Sequence, residues 1–134
     1  MKEFTYEISS ELSQLPAVES FIQNAAIDCG VDDDTTYGIT LTVYEATTNA
    51  IVHANRKDPA KKVRFIVEYT GRFFTVRIFD QGSGFDPARI PDPTAPENLM
   101  KDSGRGLYLM KIYADEVQFH TTDAGTEIVL RFMV

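Results

Sequence analysis

Along residues 2–9 Phe4, Tyr6 and Ile8 alternate with polar neighbours, the period-two pattern of a half-buried strand. The period then changes. Leu15, Val18, Phe21, Ile22, Ala25 and Ala26 recur at three- and four-residue intervals, which predicts an amphipathic helix. Pro16 stands where a first helical turn accepts it, and Gly30 where a helix stops. Asp32, Asp33 and Asp34 offer a cap and favourable charge for a second helix, predicted to run to about His53 or Asn55 although it is rich in Thr.

Residues 61–70 and 72–79 read as two strands joined tightly near Gly71, and residues 115–122 and 125–133 as a closing hairpin turning at Asp123, Ala124 and Gly125. A short helix from about Arg105 to Ala114 precedes that hairpin. Residues 80–103 break the periodicity with Gly82, Gly84, Pro87, Pro91, Pro93 and Pro96. They predict a long loop with one short turn near Pro96–Met100, and a loop of that length inside a domain is usually functional or mobile. No repeat or linker interrupts the pattern. The order of elements predicts one domain over residues 1–134, in the α+β class: a two-layer sandwich of a mostly antiparallel sheet with helices on one face.

Composition supports a packed core, since 43% of the 134 residues are apolar and a chain of this size buries roughly two-thirds of its unfolded surface. The net charge is −7, which excludes a general nucleic-acid binder, because phosphate contacts need clustered Lys and Arg. The charge is uneven: residues 1–50 carry −8 and residues 51–134 carry +1. Two readings fit that asymmetry, solubility with helix-start electrostatics or an acidic surface that faces a partner. The single cysteine, Cys29, permits no intrachain disulfide, and His53 and His120 stand at no zinc-ligand spacing from it. With neither a signal peptide nor an apolar stretch of about 18 residues, the expectation is a soluble cytoplasmic protein that needs no membrane.

Four short segments carry candidate chemistry. Between Asp34 and Arg56 the only Asp, Glu, Lys or Arg is Glu45, and Asn49 follows four residues later on the same helical face, with His53 a further turn along. The pair reads either as a solvated Glu beside an Asn or as oxygen donors for a hard cation plus a general base. Asp80-Gln81-Gly82-Ser83-Gly84-Phe85 follows a strand; it is either an ordinary turn or an acceptor for a ligand donor, with glycines that let backbone approach a ring. Ser103-Gly104-Arg105-Gly106-Leu107 opens the short helix, as a hinge or as backbone N–H groups and a cation for an anion. Gly125-Thr126 begins the last strand, as a plain hairpin turn or as a hydroxyl reaching a buried ligand. No P-loop, GxGxxG, protein-kinase signature or GxSxG spacing is present.

In this order the four segments resemble the GHKL (Bergerat-fold) ATPases. Glu45-Ala46-Thr47-Thr48-Asn49-Ala50-Ile51-Val52-His53-Ala54 corresponds to an N box, Asp80–Phe85 to a G1 box, Gly104-Arg105-Gly106-Leu107 to a G2 box, and Gly125-Thr126 to the terminal Thr segment. The resemblance covers essentially the whole chain and is nearest to the small anti-sigma factor serine/threonine kinases, the RsbW-like group. A histidine kinase would need a dimerisation and phosphoacceptor region in addition.

The resemblance implies a GHKL-type sandwich, ATP as substrate and Mg²⁺ as cofactor. It implies that Asn49 holds the Mg²⁺, that Glu45 is the general base or orients the nucleophile, and that Asp80 accepts from the adenine amino group with support from Thr126 through water. Gly82, Gly84, Gly104, Arg105, Gly106 and Leu107 would frame the nucleotide, and residues about 86–103 would be the lid. The implied partners are a sigma factor and a small STAS-type anti-sigma-factor antagonist, phosphorylated on Ser or Thr, with no direct nucleic acid; the family tends to form homodimers. The competing reading is a nucleotide-gated, protein-binding regulator of the same fold without relevant kinase activity. A simple ATPase of chaperone or repair type is disfavoured, since those carry additional domains.

Overall fold

The computed structural model describes residues 1–82 and 110–134. Strand β1 (Lys2–Ser9) leads through a single 3₁₀ turn (Leu12–Gln14) into helix α1 (Leu15–Asp28). Helix α2 (Asp33–Asn49) follows, and strands β2 (Lys62–Tyr69) and β3 (Phe73–Phe79) form a hairpin. Strands β4 (Glu116–Thr122) and β5 (Gly125–Met133) form a second hairpin. The sheet runs β1-β2-β3-β5-β4, and all four described pairings are antiparallel. The expected helix between Arg105 and Ala114 is represented by residues 110–113, which are helical; the long loop beyond Gly82, including its expected turn and lid, lies outside the described residues.

The alternation read in the strands becomes two faces. Val63, Phe65 and Val67 of β2, Phe74, Val76 and Ile78 of β3, and Ile128, Leu130 and Phe132 of β5 are buried, and the register aligns them in rows, Phe65–Ile78–Ile128 and Val67–Val76–Leu130. These rows meet Leu15, Val18, Ile22, Ala25 and Ala26 of α1 and Ile39, Val43, Ala46 and Ala50 of the second helix in one core. Tyr6 of β1 stacks on Phe21 of α1 with ring centroids 5.1 Å apart. On the other face Arg77 pairs with Glu68 (2.8 Å) and Glu127 (3.3 Å), and the Arg64 guanidinium lies over Phe79. No helix among the described residues covers that face.

Helix α2 forms despite its threonines because their hydroxyls bond inward. Thr40, Thr42, Thr47 and Thr48 each donate to the carbonyl four residues earlier, which satisfies side chains that would otherwise be buried without partners. Asp32 caps the start, accepting from the Thr35 N–H at 2.8 Å, and this bond holds its carboxyl below the usual range. The other end departs from the simple helix expected to about Asn55. After Asn49 the backbone widens into a π-helical turn, Ala50–Ala54, in which the Asn55 N–H reaches the Ala50 carbonyl at 2.9 Å. Arg56 and Lys57 then take left-handed conformations (φ 54° and 58°), and the chain reverses toward β2. Such wide turns recur at functional sites, and here the turn delivers Ala54 and Asn55 to the end of β3.

Because Phe65 is fully buried at the centre of the core, Phe65→Ala is expected to lose about 3–5 kcal/mol in urea unfolding. A loss under about 1 kcal/mol would contradict the placement of this row between sheet and helices.

Candidate functional site

The ends of β3 and β5 meet where the sheet leaves its hydrophobic rows. The Asp80 N–H donates to the Thr126 carbonyl (3.0 Å), and Asp80 Oδ1 accepts from the N–H groups of Gly82 (3.0 Å) and Thr126 (3.1 Å). Two glycines permit this closeness. A Cβ on Gly82 would overlap the Ala54 carbonyl at the end of the π-helical turn, and one on Gly125 (φ +145°) would overlap the Asp80 carbonyl. Asp80, Gly82, Gly125, Thr126 and the end of the second helix are therefore one packed unit, assembled from residues 46 apart in sequence.

Asp80 is 5% exposed and Thr126 2%. Asp80 Oδ2 and Thr126 Oγ1 are both buried with no hydrogen-bond partner among the described residues. Buried polar atoms are ordinarily paired, and leaving one unpaired costs about 1–3 kcal/mol, so two on adjacent strands mark a place shaped for a ligand that brings a donor. Burial pushes the Asp80 carboxyl up, opposed by the N–H bonds from Gly82 and Thr126 and by the Lys61 charge. An ionised carboxylate there offers acceptors only. It suits the exocyclic amino group of adenine and opposes the carbonyl that guanine carries at that position.

Strand alternation sends the side chains of Asp80 and Thr126 toward the helices. The open pocket of about 350 Å³ that borders them, lined by Glu7, Lys62, Arg64, Phe79 and His120 among others, lies on the opposite face of the sheet. It is not the space that Asp80 Oδ2 addresses.

Glu45 and Asn49 sit further back on α2, both half-buried. Glu45 lines the groove between α1 and α2 beside Glu19 and Tyr44, and burial raises its carboxyl above the usual range. Four residues apart, the two side chains share one helical face with Cβ atoms roughly 5–6 Å apart. Among the described residues no hydrogen bond joins them to each other or to the Asp80 unit. Asn49 precedes the π-helical turn directly, and a carboxamide oxygen suits Mg²⁺, which keeps several waters and takes its remaining donors from substrate phosphates. His53, one turn on, is exposed. Gly84, Gly104, Arg105, Gly106 and Leu107 lie outside the described residues.

Sequence reasoning missed Asn55, which is fully buried and bonded to three strands' worth of chain around this unit. An Asn just after a helix ordinarily reads as an end cap, so no local signal separated it from its neighbours.

A model of the histidine kinase-like ATPase domain matches residues 8–132. Among curated proteins, an "Anti-sigma F factor" of Anoxybacillus flavithermus is 33% identical, with 92% of this chain and 90% of that protein covered. A "Serine-protein kinase RsbW" of Bacillus licheniformis is 27% identical over 84% of this chain and 74% of its own length. Among solved structures, the RsbU and RsbW domains of Rv1364c from Mycobacterium tuberculosis superpose with a TM-score of 0.73 at 13% identity, covering 98% of this chain and 32% of that one. A histidine kinase domain from Erythrobacter litoralis gives 0.56 at 21% identity, over 90% of this chain and 59% of that one. At these identities the two structures speak to the fold alone. Among the described residues no helix is long and apolar enough to cross a membrane.

The burial of Asp80 sets a pH dependence for the ligand-free protein. With its folded pKa raised, Asp80 favours folding below its unfolded value of about 3.9 and opposes it once pH has risen through the folded value. Asp80→Asn keeps an acceptor for the Gly82 and Thr126 N–H groups and removes the buried charge. It is expected to hold or raise the melting temperature at pH 7 and to flatten its fall between about pH 4 and 7; a clear loss of stability at pH 7 would contradict the desolvation assignment.

Proposed function

The chain belongs to the histidine kinase-like ATPase family, and from that premise we propose that it is an ATP-dependent protein serine/threonine kinase that also binds a sigma factor as an anti-sigma factor. Relatives that bear the names anti-sigma F factor and serine-protein kinase RsbW support both halves of this reading. The observation that carries nucleotide binding is the pair of buried oxygens, Asp80 Oδ2 and Thr126 Oγ1, that have no hydrogen-bond partner among the described residues. In this reading Asp80 accepts from the adenine amino group, and Thr126 supports it through a water. Gly82, with Gly84, Gly104, Arg105, Gly106 and Leu107 by resemblance, frames the nucleotide.

The spacing along the second helix fits the remaining roles. Glu45 lies nine residues before Ala54, about 13 Å along a helix axis, which is the scale of an extended nucleoside triphosphate. With adenine at Asp80, Asn49 and Glu45 fall toward the phosphates. ATP would supply the γ-phosphoryl group, which passes to the Ser or Thr hydroxyl as its bond to the β-phosphate breaks and ADP leaves; Asn49 would hold the Mg²⁺, which would neutralise phosphate charge. Glu45 accepts the proton of the attacking Ser or Thr hydroxyl, a task its burial suits because a raised pKa makes a carboxylate a stronger base. Phosphoryl transfer otherwise asks for positioning and charge stabilisation. The acceptor is a small STAS-type antagonist of the anti-sigma factor, and a sigma-factor partner places the protein in the cytoplasm. One domain carries all of these roles.

Capture of partners on the immobilised chain with and without Mg·ATP, followed by mass spectrometry of their phosphosites, tests the reading. A sigma factor and a phosphorylated antagonist are the expected finds. Retention of targets in an ATP-dependent way with no phosphorylated partner would favour the nucleotide-gated regulator instead.

Glu45→Ala is expected to bind ATP with unchanged affinity and to slow phosphoryl transfer by about 10²–10⁴-fold; full transfer by this variant would overturn the base assignment. Asp80→Asn is expected to weaken ATP binding by about 1.5–3 kcal/mol, on the order of 10–150-fold, as read by titration calorimetry. The wild-type transfer rate is expected to fall on acidification with a midpoint above the ordinary glutamate value of about 4.3, because Glu45 must be ionised to accept the proton; a flat rate through that range would rule Glu45 out as the base.

A further inference from the structure

The Asp80-Gln81-Gly82 turn is held by a side chain outside the four motifs. Asn55 is fully buried at the end of the π-helical turn. Its Oδ1 accepts from the Gln81 N–H (2.9 Å), and its Nδ2 donates to Ser10 Oγ (2.8 Å) and to the Lys62 carbonyl (3.1 Å). Chemistry fixes this orientation. A backbone N–H only donates and a carbonyl only accepts, while the Ser10 hydroxyl already gives its proton to the Lys61 carbonyl at 2.7 Å. A flipped carboxamide would lose all three bonds. The Gln81 side chain closes the arrangement by accepting from the Lys62 N–H at 2.6 Å.

The consequence reaches Asp80 although Asn55 makes no hydrogen bond with it. Three consecutive N–H groups define the turn: Asp80 to the Thr126 carbonyl, Gln81 to Asn55 Oδ1, and Gly82 to Asp80 Oδ1. The middle bond sits between the backbone bond that anchors Asp80 to Thr126 and the Gly82 bond that, with the Thr126 N–H, aims the carboxylate. Without it the Gln81 N–H loses its partner and the turn can rotate, so that Gly82 releases Oδ1, the Thr126 N–H alone holds it, and the direction of Oδ2 is no longer fixed. Asn55 also ties this turn to the segment after β1 and to the start of β2, so the aim is referred to the rigid sheet.

We propose that Asn55 is a positioning residue for recognition of the purine 6-substituent, acting through the Gln81 backbone on the Asp80 carboxylate. The proposal rests on the reading that Asp80 accepts from the adenine amino group. ITP separates the two, since it carries a carbonyl where ATP carries that amino group.

Titration calorimetry with Mg·ATP and Mg·ITP on the wild type, Asn55→Ala and Ser10→Ala, alongside thermal unfolding, provides the test. The wild type is expected to prefer ATP. Asn55→Ala is expected to narrow the ATP-to-ITP ratio of dissociation constants by about tenfold or more. Ser10→Ala disturbs the far side of the carboxamide and leaves the Gln81 bond in place, so it is expected to lose thermal stability while keeping the ratio within about twofold. If Asn55→Ala does not fold, Asn55→Ser, whose shorter side chain falls short of the Gln81 N–H, is read for the same narrowing. An unchanged ratio in the folded Asn55 variant, or equal narrowing in Ser10→Ala, would reduce Asn55 to a general structural role. A wild type that fails to prefer ATP would instead overturn the reading of Asp80.

Discussion

One buried carboxylate organises this molecule's functional end. Asp80 sits where β3 leaves the core, its Oδ1 held by two backbone N–H groups and its Oδ2 without a partner among the described residues. Burying a carboxylate is costly unless something answers the charge, and here two N–H dipoles and the Lys61 charge answer only in part, so the carboxyl is pushed up. Other features follow from keeping it there. Gly82 and Gly125 lack side chains because backbone carbonyls occupy the space a Cβ needs, and the π-helical turn brings Ala54 and Asn55 against the same loop. In the proposed reading, stability given up in the ligand-free state is recovered when the adenine amino group arrives, a common arrangement at binding sites.

The charge asymmetry takes on meaning beside this geometry. A chain of net charge −7 is a poor host for a polyanion, yet the excess lies in residues 1–50, and the proposed nucleotide contacts other than Asn49 and Glu45 fall in the near-neutral remainder. Mg²⁺, backbone amides and Arg105 offset phosphate charge locally in that reading. Desolvation in the groove between α1 and α2 raises Glu45. The second helix then carries the proposed general base, and the residue that follows its π-helical turn, Asn55, is the one proposed to steady recognition of the purine.

Strands β2, β3 and β5 were legible because each has one buried face on a two-residue period, and the alternation in Lys2–Ser9 was readable to the residue. The first helix was legible from its apolar stripe, with Pro16 and Gly30 at its ends. The Thr-rich second helix was harder, since the hydroxyl-to-carbonyl bonds that permit it are invisible in composition. Its π-helical end was unreadable, because a change from four- to five-residue bonding leaves no periodicity within five residues. Asp80, Gly82 and Thr126, which the structure packs together, stood out as candidates from glycine spacing and resemblance. Neither the register that places Thr126 beside Asp80 nor the burial of Asn55 follows from local sequence: both depend on strands paired across 46 residues and a contact spanning 26.

The central claim is that Asp80 receives the adenine amino group, and a crystal structure of the chain with Mg²⁺ and a non-hydrolysable ATP analogue tests it most directly. The expected result places the exocyclic amino nitrogen within hydrogen-bonding distance of Asp80 Oδ2, with a water joining Thr126 Oγ1 and the γ-phosphate directed toward Asn49 and Glu45. A nucleotide bound elsewhere, or bound here with Asp80 Oδ2 still lacking a partner, would contradict the account.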